Sequence, residues 1–314
     1  MTAGGLILLG AEQFRLTSMC EHLERLGHRW AVVAPGERVD GAALAEAVGL
    51  IVPPERTLTA AELCAAPNVR AVVSPVIGVD HLPLAELSDR GIPVANGAAA
   101  ENYVGMAEAA IGLIIASLHR FLPKMDALAR RGPAPVPVGG LLSGRTVGLV
   151  GLGRIGLAIA DRLGTFGCRV VAADPGGSSD GRVEVLPLAE MLSVSDVVSI
   201  QVPLLPTTRS MIGEKQLDLL PPGAVVVNIG RGGVVDEQAL ARALDSGHLS
   251  AAAVDVWAEE PPPADHPLLG RSDVIATPHN AGHSEETYDR LAALAVDQLV
   301  TMLRGERPPY LVRG

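Results

Sequence analysis

Residues 151–156 read GLGRIG, and this spacing of three glycines constrains the fold more than any other stretch of the chain. The apolar run TVGLVG leads into the motif, and the helical pattern IGLAIADRLGTFG follows it. Glycines at Gly151, Gly153 and Gly156 allow a tight turn between strand and helix, close approach of the backbone to a pyrophosphate, and close packing of the helix on the strand. The motif therefore predicts a parallel α/β sheet with an anion site at one strand end.

An acidic residue completes this pattern. Asp174 ends the next apolar run, RVVAAD, eighteen positions beyond Gly156. A carboxylate at this place can accept hydrogen bonds from the ribose hydroxyls of a dinucleotide, and it repels a 2′-phosphate. The following residues, Pro175, Gly176 and Gly177, include no arginine that would bind such a phosphate. We therefore expect NAD rather than NADP; the alternative is a glycine-rich turn that binds nothing.

Short apolar runs alternate with helical patterns along most of the chain, as in the βαβ units of a parallel sheet. The first set is GLILLG, WAVVA, GLIV, RAVVS and IPVAN, and the second is TVGLVG, RVVAAD, DVVSIQVP, AVVVNIGR, LSAAAVDVW and DVIATPH. A chain of 314 residues exceeds what one core usually supports, so we expect two domains. Only 3% of the residues are aromatic, so aliphatic side chains must form both cores.

Between the two sets, residues 101–131 carry apolar residues at helical spacing around more than one face. Such a helix must be covered on several sides, and a partner subunit is a candidate for one of them. The stretch GPAPVPVGG that follows is predicted to be an extended arm or linker. A last amphipathic helix, SEETYDRLAALAVDQLVTMLRGE, follows the second set of strands.

Charge and cysteine usage exclude several classes of partner. The net charge is -10 and the longest basic run is Arg130-Arg131, which argues against nucleic acid or an anionic membrane. The start, MTAGGLILLGAEQF, has no basic segment and only a short apolar run, so we expect neither a signal peptide nor a membrane span and predict a cytoplasmic protein. The cysteines, Cys20, Cys64 and Cys168, are too few and too widely spaced for a disulfide framework or a zinc site.

Ligands of an open parallel sheet bind outside the carboxyl ends of the strands. The polar residues predicted at those ends are Asp174, Gln201, Arg231, Asp255, Glu260 and His279. The run VVVNIGRGG around Arg231 has two interpretations: a glycine-rich phosphate loop, or an arginine that binds a small carboxylate through two parallel donors. Lysine occurs only at positions 124 and 215, so no Walker-type loop can form there, and residues 151–156 already offer a pyrophosphate site. The second interpretation is favoured, with an arginine paired to a structural acid as the alternative.

His279 follows the apolar run VIATP at a predicted strand end. Hydride transfer to a carbonyl requires a proton donor beside the oxygen, and histidine can donate near neutral pH. Glu260, in DVWAEEPPP, is its candidate partner, because a negative charge beside an imidazole favours imidazolium. The alternatives are a capping or core histidine, and a solvated loop acid of the kind expected at Glu259.

Four ordered motifs, GLVGLGRIG, NIGRGGVVDEQAL, AAAVDVWAEEP and ATPHNAG, resemble those of the D-isomer-specific 2-hydroxyacid dehydrogenase family across essentially the whole chain. The resemblance implies an α/β fold of two Rossmann-like, doubly wound parallel-sheet domains with a cleft between them. A flavodoxin-like substrate domain would comprise residues 1–100 plus 285–314, and the NAD-binding domain residues 101–284. A dimerisation helix and arm at 101–145 would belong to the NAD-binding domain, which implies a homodimer.

The resemblance also implies roles for single residues. Arg231 would grip the substrate carboxylate and carbonyl, His279 would be the acid/base, and Glu260 would orient and tune it. The loop PVIGVD would offer the backbone amides of Ile77 and Gly78 to the carboxylate. Asp255 would lie on the nicotinamide side. The full set of implied cofactor contacts is Gly151, Gly153, Arg154, Ile155, Gly156, Asp174, Pro203, Thr208, Ile229, Asp255 and Gly282.

The chain departs from the family pattern in QVPLLPTT, where Gln201 replaces a common histidine and Leu205 a common threonine. The arm GPAPVPVGG lacks the tryptophan that many members carry there. In the substrate loop, Val76 and Ile77 replace smaller residues of members that bind phosphorylated acids. The identity of the acid is therefore not predicted beyond its class.

Taken together, the residues predict an NAD-dependent oxidoreductase that passes hydride between nicotinamide C4 and the C2 of a small 2-oxo or 2-hydroxy acid. No metal is required, because arginine and imidazolium supply the electrophilic assistance. Oxidation of another small anion such as phosphite is an alternative on the same fold, whereas Glu260 argues against formate. A non-catalytic NAD-sensing protein is an alternative of another class, and turnover of any 2-oxo acid would distinguish it.

Overall fold

The computed structural model describes residues 6–10, 15–33, 37, 39–129, 138–177 and 181–312. The chain divides into two compact units, one formed by Met1–Asn102 with His283–Gly314 and the other by Tyr103–Gly282. The division predicted from the sequence runs after residue 100 and after residue 284, so each predicted boundary lies two residues from the structural one. Residues 130–137, which comprise the last two residues of the predicted helix and most of the predicted arm, lie outside the described residues.

The first unit contains a five-stranded parallel sheet of order β2-β1-β3-β4-β5, which is the flavodoxin-like order. Its elements are β1 (Leu6–Gly10), α1 (Leu16–Arg25), β2 (Arg29–Val33), α2 (Gly41–Glu46), β3 (Ala47–Ile51), α3 (Ala60–Cys64), β4 (Ala71–Val73), α4 (Leu84–Asp89), β5 (Val94–Ala95) and, from the far end of the chain, α11 (Glu285–Leu303). Helix α11 begins where the Ser284 side chain accepts the Thr287 N–H, and it packs on α1, β3 and β4. The last helix of the chain therefore completes the first unit.

The second unit contains a seven-stranded parallel sheet of order β12-β11-β10-β9-β6-β7-β8. Its elements are α5 (Ala100–Leu118), α6 (Phe121–Ala129), β6 (Thr146–Val150), α7 (Arg154–Leu163), β7 (Arg169–Ala173), β8 (Glu184–Val185), α8 (Leu188–Ser193), β9 (Val197–Ile200), α9 (Glu214–Leu217), β10 (Ala224–Asn228), α10 (Glu237–Asp245), β11 (Leu249–Val254) and β12 (Val274–Ala276). The strand order reverses between β6 and β9, which is the switch point where such sheets bind ligands.

Both faces of this second sheet are covered. In β10 the side chains of Val225 and Val227 pack in the cluster that contains α5 and α7, whereas Val226 packs with α8, α9 and α10. All five residues of β10 are buried. A strand buried on both faces must be a continuous apolar run, and this explains why AVVVN contains no alternation of polar residues.

The single helix predicted over residues 101–131 is wrong in one respect, because the structure breaks it into α5 and α6. Arg120 adopts φ 57°, and the two helices meet at a bend of 56°. A left-handed residue cannot continue a right-handed helix, so the pattern of apolar residues carries on while the axis turns. Among the described residues, no single helix is long and apolar enough to cross a membrane; α5 and α6 meet that test only together, as a bent pair.

Candidate active site

The glycine motif joins β6 to α7 at the switch point. The backbone of Gly156 lies so close to the carbonyl oxygen of Gly151 that a Cβ atom at position 156 would overlap it. A Cβ at Gly153 would meet nothing within 4 Å, and no side chain caps the helix that starts there. The first N–H groups of α7 are therefore available to an anion, and the open side of the loop suits a pyrophosphate.

Asp174 closes this loop from the end of β7. Its Oδ2 accepts the N–H of Leu152 at 2.7 Å, and its Oδ1 accepts the N–H of Gly176 at 2.7 Å. A carboxylate has about four acceptor positions, so these two bonds leave capacity for ribose hydroxyls. Asp174 thus shapes the glycine loop as well as offering the acceptor that the sequence predicts.

Gln201 supports the same loop from the neighbouring strand end. Its Nε2 donates to the carbonyl oxygens of Val150 at 3.0 Å and Gly151 at 2.7 Å, while its Oε1 accepts the Ser199 hydroxyl at 2.9 Å. Gln201, which departs from the family pattern, therefore uses its amide nitrogen and oxygen in hydrogen bonds within the protein.

The loop after β9 is closed by Thr208. Its hydroxyl donates to the Pro203 carbonyl at 2.6 Å and accepts the Leu205 N–H at 2.7 Å. Leu205 is 49% exposed, and Ile229, at the end of β10, is buried. Both loop residues named for cofactor contact, Pro203 and Thr208, thus belong to one compact turn beside the switch point.

Arg231 lies three residues after the end of β10. The side chain of Asn228 accepts the Gly230 N–H at 3.2 Å and donates to the Arg231 carbonyl at 3.3 Å, which turns the chain sharply after the strand. The guanidinium is half-buried, and its Nη1 donates to the Gly230 carbonyl at 2.8 Å. Asn228 was not singled out from the sequence, although an asparagine side chain often accepts the backbone N–H two residues on and so forms a turn.

The glycines around Arg231 have a packing explanation. A Cβ atom on Gly232 would overlap the carbonyl of Trp257, and Gly232 also lies against the Ala258 nitrogen. The loop therefore needs glycine in order to pack on the segment that leads to Glu260. This contact accounts for Gly232 without a phosphate ligand.

His279 and Glu260 form a direct pair. The Nδ1 of His279 lies 3.0 Å from Oε1 and 2.9 Å from Oε2 of Glu260. The backbone of His279 has φ 55°, a region uncommon for residues other than glycine, and its N–H donates to the Asp255 carbonyl at 2.7 Å. The His279 backbone is thus held in a strained conformation by a hydrogen bond, and its ring is held by a carboxylate. Strained residues of this kind cluster at functional sites.

The pKa of Glu260 reflects its neighbours. Burial raises it, but the hydrogen bonds from His279 and from the Trp257 N–H, together with the positive charge of Arg231, outweigh burial and hold the pKa below its usual value. The Trp257 N–H donates to Oε1 at 3.0 Å. The carboxylate is therefore ionised at neutral pH, and it interacts electrostatically with both His279 and Arg231.

Asp255 organises the turn that carries His279. It is 1% exposed, and its Oδ1 accepts the Thr277 hydroxyl at 2.7 Å and the N–H groups of Asn280 at 3.0 Å and Ala281 at 3.1 Å. At the end of this turn, a Cβ atom on Gly282 would overlap the Met106 side chain of α5. Asp255 and Gly282 thus hold the His279 turn in place.

Ile77 and Gly78 belong to the first unit, in the loop after β4. The carbonyls of Val76, Ile77 and Gly78 accept hydrogen bonds from Gly97 N, Asn96 Nδ2 and Ser74 Oγ, each at 2.8 Å. Within the described ranges, the amides of Ile77 and Gly78 donate no hydrogen bond. A loop whose carbonyls are satisfied from inside presents its N–H groups for an anion.

Across the part of the chain that the structure describes, no group of three or more His, Cys, Asp or Glu side chains is arranged to hold a metal ion. The second unit brings together the Glu260 carboxylate and the His279 imidazole, and the Arg231 charge acts on that carboxylate. In general, a guanidinium can bind an anion, an imidazole can carry a proton, and an ionised carboxylate can stabilise the imidazolium.

Comparison with known proteins identifies the family. The family described as "D-isomer specific 2-hydroxyacid dehydrogenase, NAD binding domain" matches residues 111–281. The chain belongs to the D-isomer specific 2-hydroxyacid dehydrogenase family. It is therefore an NAD-dependent oxidoreductase of 2-hydroxy acids, and the predicted function and fold class are confirmed.

Individual relatives cover most of this dehydrogenase. A glyoxylate reductase of Korarchaeum cryptofilum is 39% identical over 260 residues, which cover 79% of this chain and 77% of that protein. The structure of a D-lactate dehydrogenase from Aquifex aeolicus complexed with NAD and lactic acid superposes with a TM-score of 0.88 at 25% identity, covering 98% and 99% of the two chains. An NADPH-dependent glyoxylate/hydroxypyruvate reductase of Sinorhizobium meliloti, in complex with NADP and malonate, gives 0.86 at 29% identity, covering 98% and 96%.

Proposed function

We propose that this dehydrogenase interconverts a short 2-oxo acid and its D-2-hydroxy acid, with NAD as cofactor and with Arg231, His279 and Glu260 as the catalytic residues. The observation that carries the proposal is the pair of hydrogen-bond distances of 2.9 Å and 3.0 Å between His279 Nδ1 and the Glu260 carboxylate, on which the charge of Arg231 also acts. When bound, the nicotinamide supplies or accepts the hydride. The remaining steps belong to the side chains.

The proton is carried by one nitrogen of His279. Because Nδ1 donates to Glu260, Nε2 is the nitrogen that gives a proton to the substrate oxygen during reduction and takes it back during oxidation. The ionised Glu260 stabilises the imidazolium and fixes the ring orientation, as the carboxylate does in other paired histidines. No other acid is needed beside the reacting oxygen.

Arg231 is the proposed anchor of the substrate. A guanidinium presents parallel donors that match a carboxylate, and it can also polarise the adjacent carbonyl. The half-buried position of Arg231 strengthens both effects relative to a guanidinium in water. From the family resemblance, we also propose Ile77 and Gly78 as substrate-binding residues.

The cofactor preference is proposed from Asp174. Its carboxylate stands at the end of β7 with two acceptor positions left, and its negative charge disfavours a 2′-phosphate. The remaining contacts proposed for the dinucleotide are those implied by the family, at Gly151, Gly153, Arg154, Ile155, Gly156, Pro203, Thr208, Ile229, Asp255 and Gly282.

The substrate is proposed to be small and unphosphorylated. The enzymes compared above are named for glyoxylate, hydroxypyruvate or lactate, whereas D-3-phosphoglycerate dehydrogenases, for example that of Mycobacterium bovis at 36% identity, are also relatives of this chain. We favour an unphosphorylated acid because Val76 and Ile77 make the substrate loop bulkier than a phosphorylated acid would favour. The test is a panel of glyoxylate, hydroxypyruvate, pyruvate, 3-phosphohydroxypyruvate and phosphite, with NADH or NAD as each requires, followed by nicotinamide absorbance. Turnover of phosphite alone would overturn the assignment of the acid.

We further propose a cytoplasmic homodimer that binds neither nucleic acid nor membrane. Helix α6 has no buried residue among those described, and Phe121, Met125 and Leu128 on it are 48%, 65% and 81% exposed. Apolar side chains exposed to this extent on one helix are typical of an interface. The three cysteines are unpaired, as expected in a reducing compartment. Light scattering at micromolar protein tests the dimer, and a fully active monomer would contradict it.

A further inference from the structure

The second unit contains a further carboxylate–imidazole pair, Glu237 and His266. The Nε2 of His266 is 3.0 Å from Oε2 of Glu237, and the two side chains are only 8% and 13% exposed. Glu237 is the first residue of α10, and His266 lies in the loop between β11 and β12. The proposed proton transfer uses neither residue.

The hydrogen bonds around the pair determine its protonation pattern. The Leu268 N–H donates to Nδ1 of His266 at 3.3 Å, so the ring proton lies on Nε2 and is donated to Glu237. The other carboxylate oxygen of Glu237 accepts the Ala258 N–H at 2.8 Å. Both oxygens of Glu237 are thus committed, one to the imidazole and one to the backbone.

The peptide that Glu237 holds connects the segments of the proposed catalytic residues. Ala258 lies two positions before Glu260, and the preceding carbonyl, that of Trp257, lies against Gly232, next to Arg231. One peptide group is therefore fixed by its N–H to Glu237 and by its carbonyl to the arginine loop.

Trp257 extends the connection to the third segment. Its indole N–H donates to the Thr277 carbonyl at 3.0 Å, two residues before His279, and its ring packs edge-on to His266 with centroids 5.2 Å apart. The Trp257 side chain is 4% exposed, so this contact is rigidly packed. Glu237, His266 and Trp257 thus form a buried cluster that contacts the loops of Arg231, Glu260 and His279.

We propose that Glu237, oriented by His266, is a positioning residue that sets the Trp257–Ala258 peptide and, through it, the place of Glu260 relative to His279 and Arg231. The proposal rests on the catalytic roles proposed above. Burying a carboxylate is unfavourable unless its oxygens are bound, and apolar side chains of the same volume would stabilise packing as well. Unlike an apolar side chain, the Glu237 carboxylate also fixes the direction of the Ala258 N–H. Displacement of a catalytic group by about 1 Å can lower turnover about 100-fold, so this direction matters for rate.

The test compares Glu237→Gln with two other variants and the unmodified enzyme. Glutamine keeps the size of the side chain, but its amide cannot accept from both His266 and Ala258. The matched control is Glu259→Gln, which neutralises an exposed acid next to Ala258 in the loop between β11 and β12. The third variant, His266→Phe, keeps a ring against Trp257 and leaves the Ala258 contact in place. The measurements are kcat, KM for glyoxylate, KM for NADH, and the pH dependence of reduction.

We expect Glu237→Gln to lower kcat at least about tenfold and to move the high-pH limb of reduction to lower pH, because Glu260 is less well held against His279. KM for NADH should change by less than about twofold, since the glycine loop is not touched. His266→Phe should shift the same limb in the same direction by less, and Glu259→Gln should match the unmodified enzyme. If the double variant Glu237→Gln/His266→Phe is no less active than Glu237→Gln alone, the two residues act through the same interaction.

A Glu237→Gln protein that melts at lower temperature but keeps kcat and the pH profile would overturn the proposal, because Glu237 would then be structural only. If Glu237→Gln does not fold, the pH dependence of His266→Phe tests the proposal instead. A high-pH limb of reduction that stays in place in His266→Phe would then refute the positioning role. His279→Gln, measured in the same series, distinguishes a failure of the proposed catalytic roles from a failure of the positioning role. If it retains turnover, the catalytic assignment itself fails, whereas its inactivity beside a normal Glu237→Gln refutes only the positioning role.

Discussion

Removing the negative charge of Glu260 should shift the pH dependence of 2-oxo acid reduction. Reduction requires the imidazolium of His279, and the carboxylate at 2.9–3.0 Å from its Nδ1 favours that form. Glu260 is charged throughout the working range, because its own pKa is lowered. Glu260→Gln keeps the size and a hydrogen-bond acceptor while removing the charge, so activity should be lost at lower pH than in the unmodified enzyme.

The size of this shift follows from the exposure of the pair. Unit charges about 4 Å apart interact by about 1 kcal/mol in water and by about 4 kcal/mol at an effective dielectric constant of about 20. Both side chains are 41% exposed, which places this pair towards the aqueous value. Loss of the charge should therefore weaken the interaction with the imidazolium by about 1 kcal/mol, which moves the high-pH limb to lower pH.

The assay is the initial rate of NADH oxidation at saturating glyoxylate, from about pH 5 to about pH 10, for the unmodified enzyme, Glu260→Gln and His279→Gln. His279→Gln should lose roughly 10²- to 10⁴-fold at every pH, because proton donation itself is removed. A high-pH limb that Glu260→Gln leaves unmoved would refute the coupling, and Glu260 would then be an ordinary loop acid.

Acid stability provides an independent check on the same carboxylate. Because the pKa of Glu260 is lower in the folded state, its contribution to stability is present above the unfolded pKa and is lost as pH falls through the folded value. The melting temperature of Glu260→Gln should therefore depend less steeply on pH below neutrality than that of the unmodified enzyme. Equal slopes would mean that the folded and unfolded pKa values are the same.

Three further substitutions test the anion grip and the cofactor site. Arg231→Lys keeps the charge but loses the planar fork, so steady-state kinetics should show kcat falling and KM for the acid rising while KM for NADH is little changed; a loss confined to NADH binding would make GRGG a cofactor loop. Asp174→Ala should narrow the preference of kcat/KM for NADH over NADPH and also raise KM for NADH, because the carboxylate holds Leu152 and Gly176; an unmodified enzyme that prefers NADPH would refute the cofactor assignment. Gln201→Ala should raise KM for NADH at nearly constant kcat, and an unchanged KM would show that the glycine loop holds its shape without this side chain.

The sequence by itself determined the features that depend on near neighbours in the chain. Strand and helix patterns arise from the spacing of apolar residues, and the predicted runs correspond to β1–β7 and β9–β12. The glycine motif was readable because the steric need at Gly156 involves a backbone only five residues away. Arg231, Glu260 and His279 could be proposed from the sequence for a similar reason, since each follows a strand within a short, ordered motif. The two-residue strand β8 was missed because it is too short to show a pattern.

Only the tertiary structure decided which distant side chains meet. Gln201 binds carbonyls 50 and 51 residues away, and Glu237 meets His266 across 29 residues. Nothing in the local pattern marks these partners, because the contacts arise only after parallel strands are ordered so that their carboxyl ends share one edge. The break at Arg120 is similar: the apolar spacing continues through it, and only the left-handed backbone, with the guanidinium bound to the Ser250 carbonyl on β11, turns the helix. Periodicity therefore encodes the elements, while long-range packing and hydrogen bonds select the partners from which the site is built.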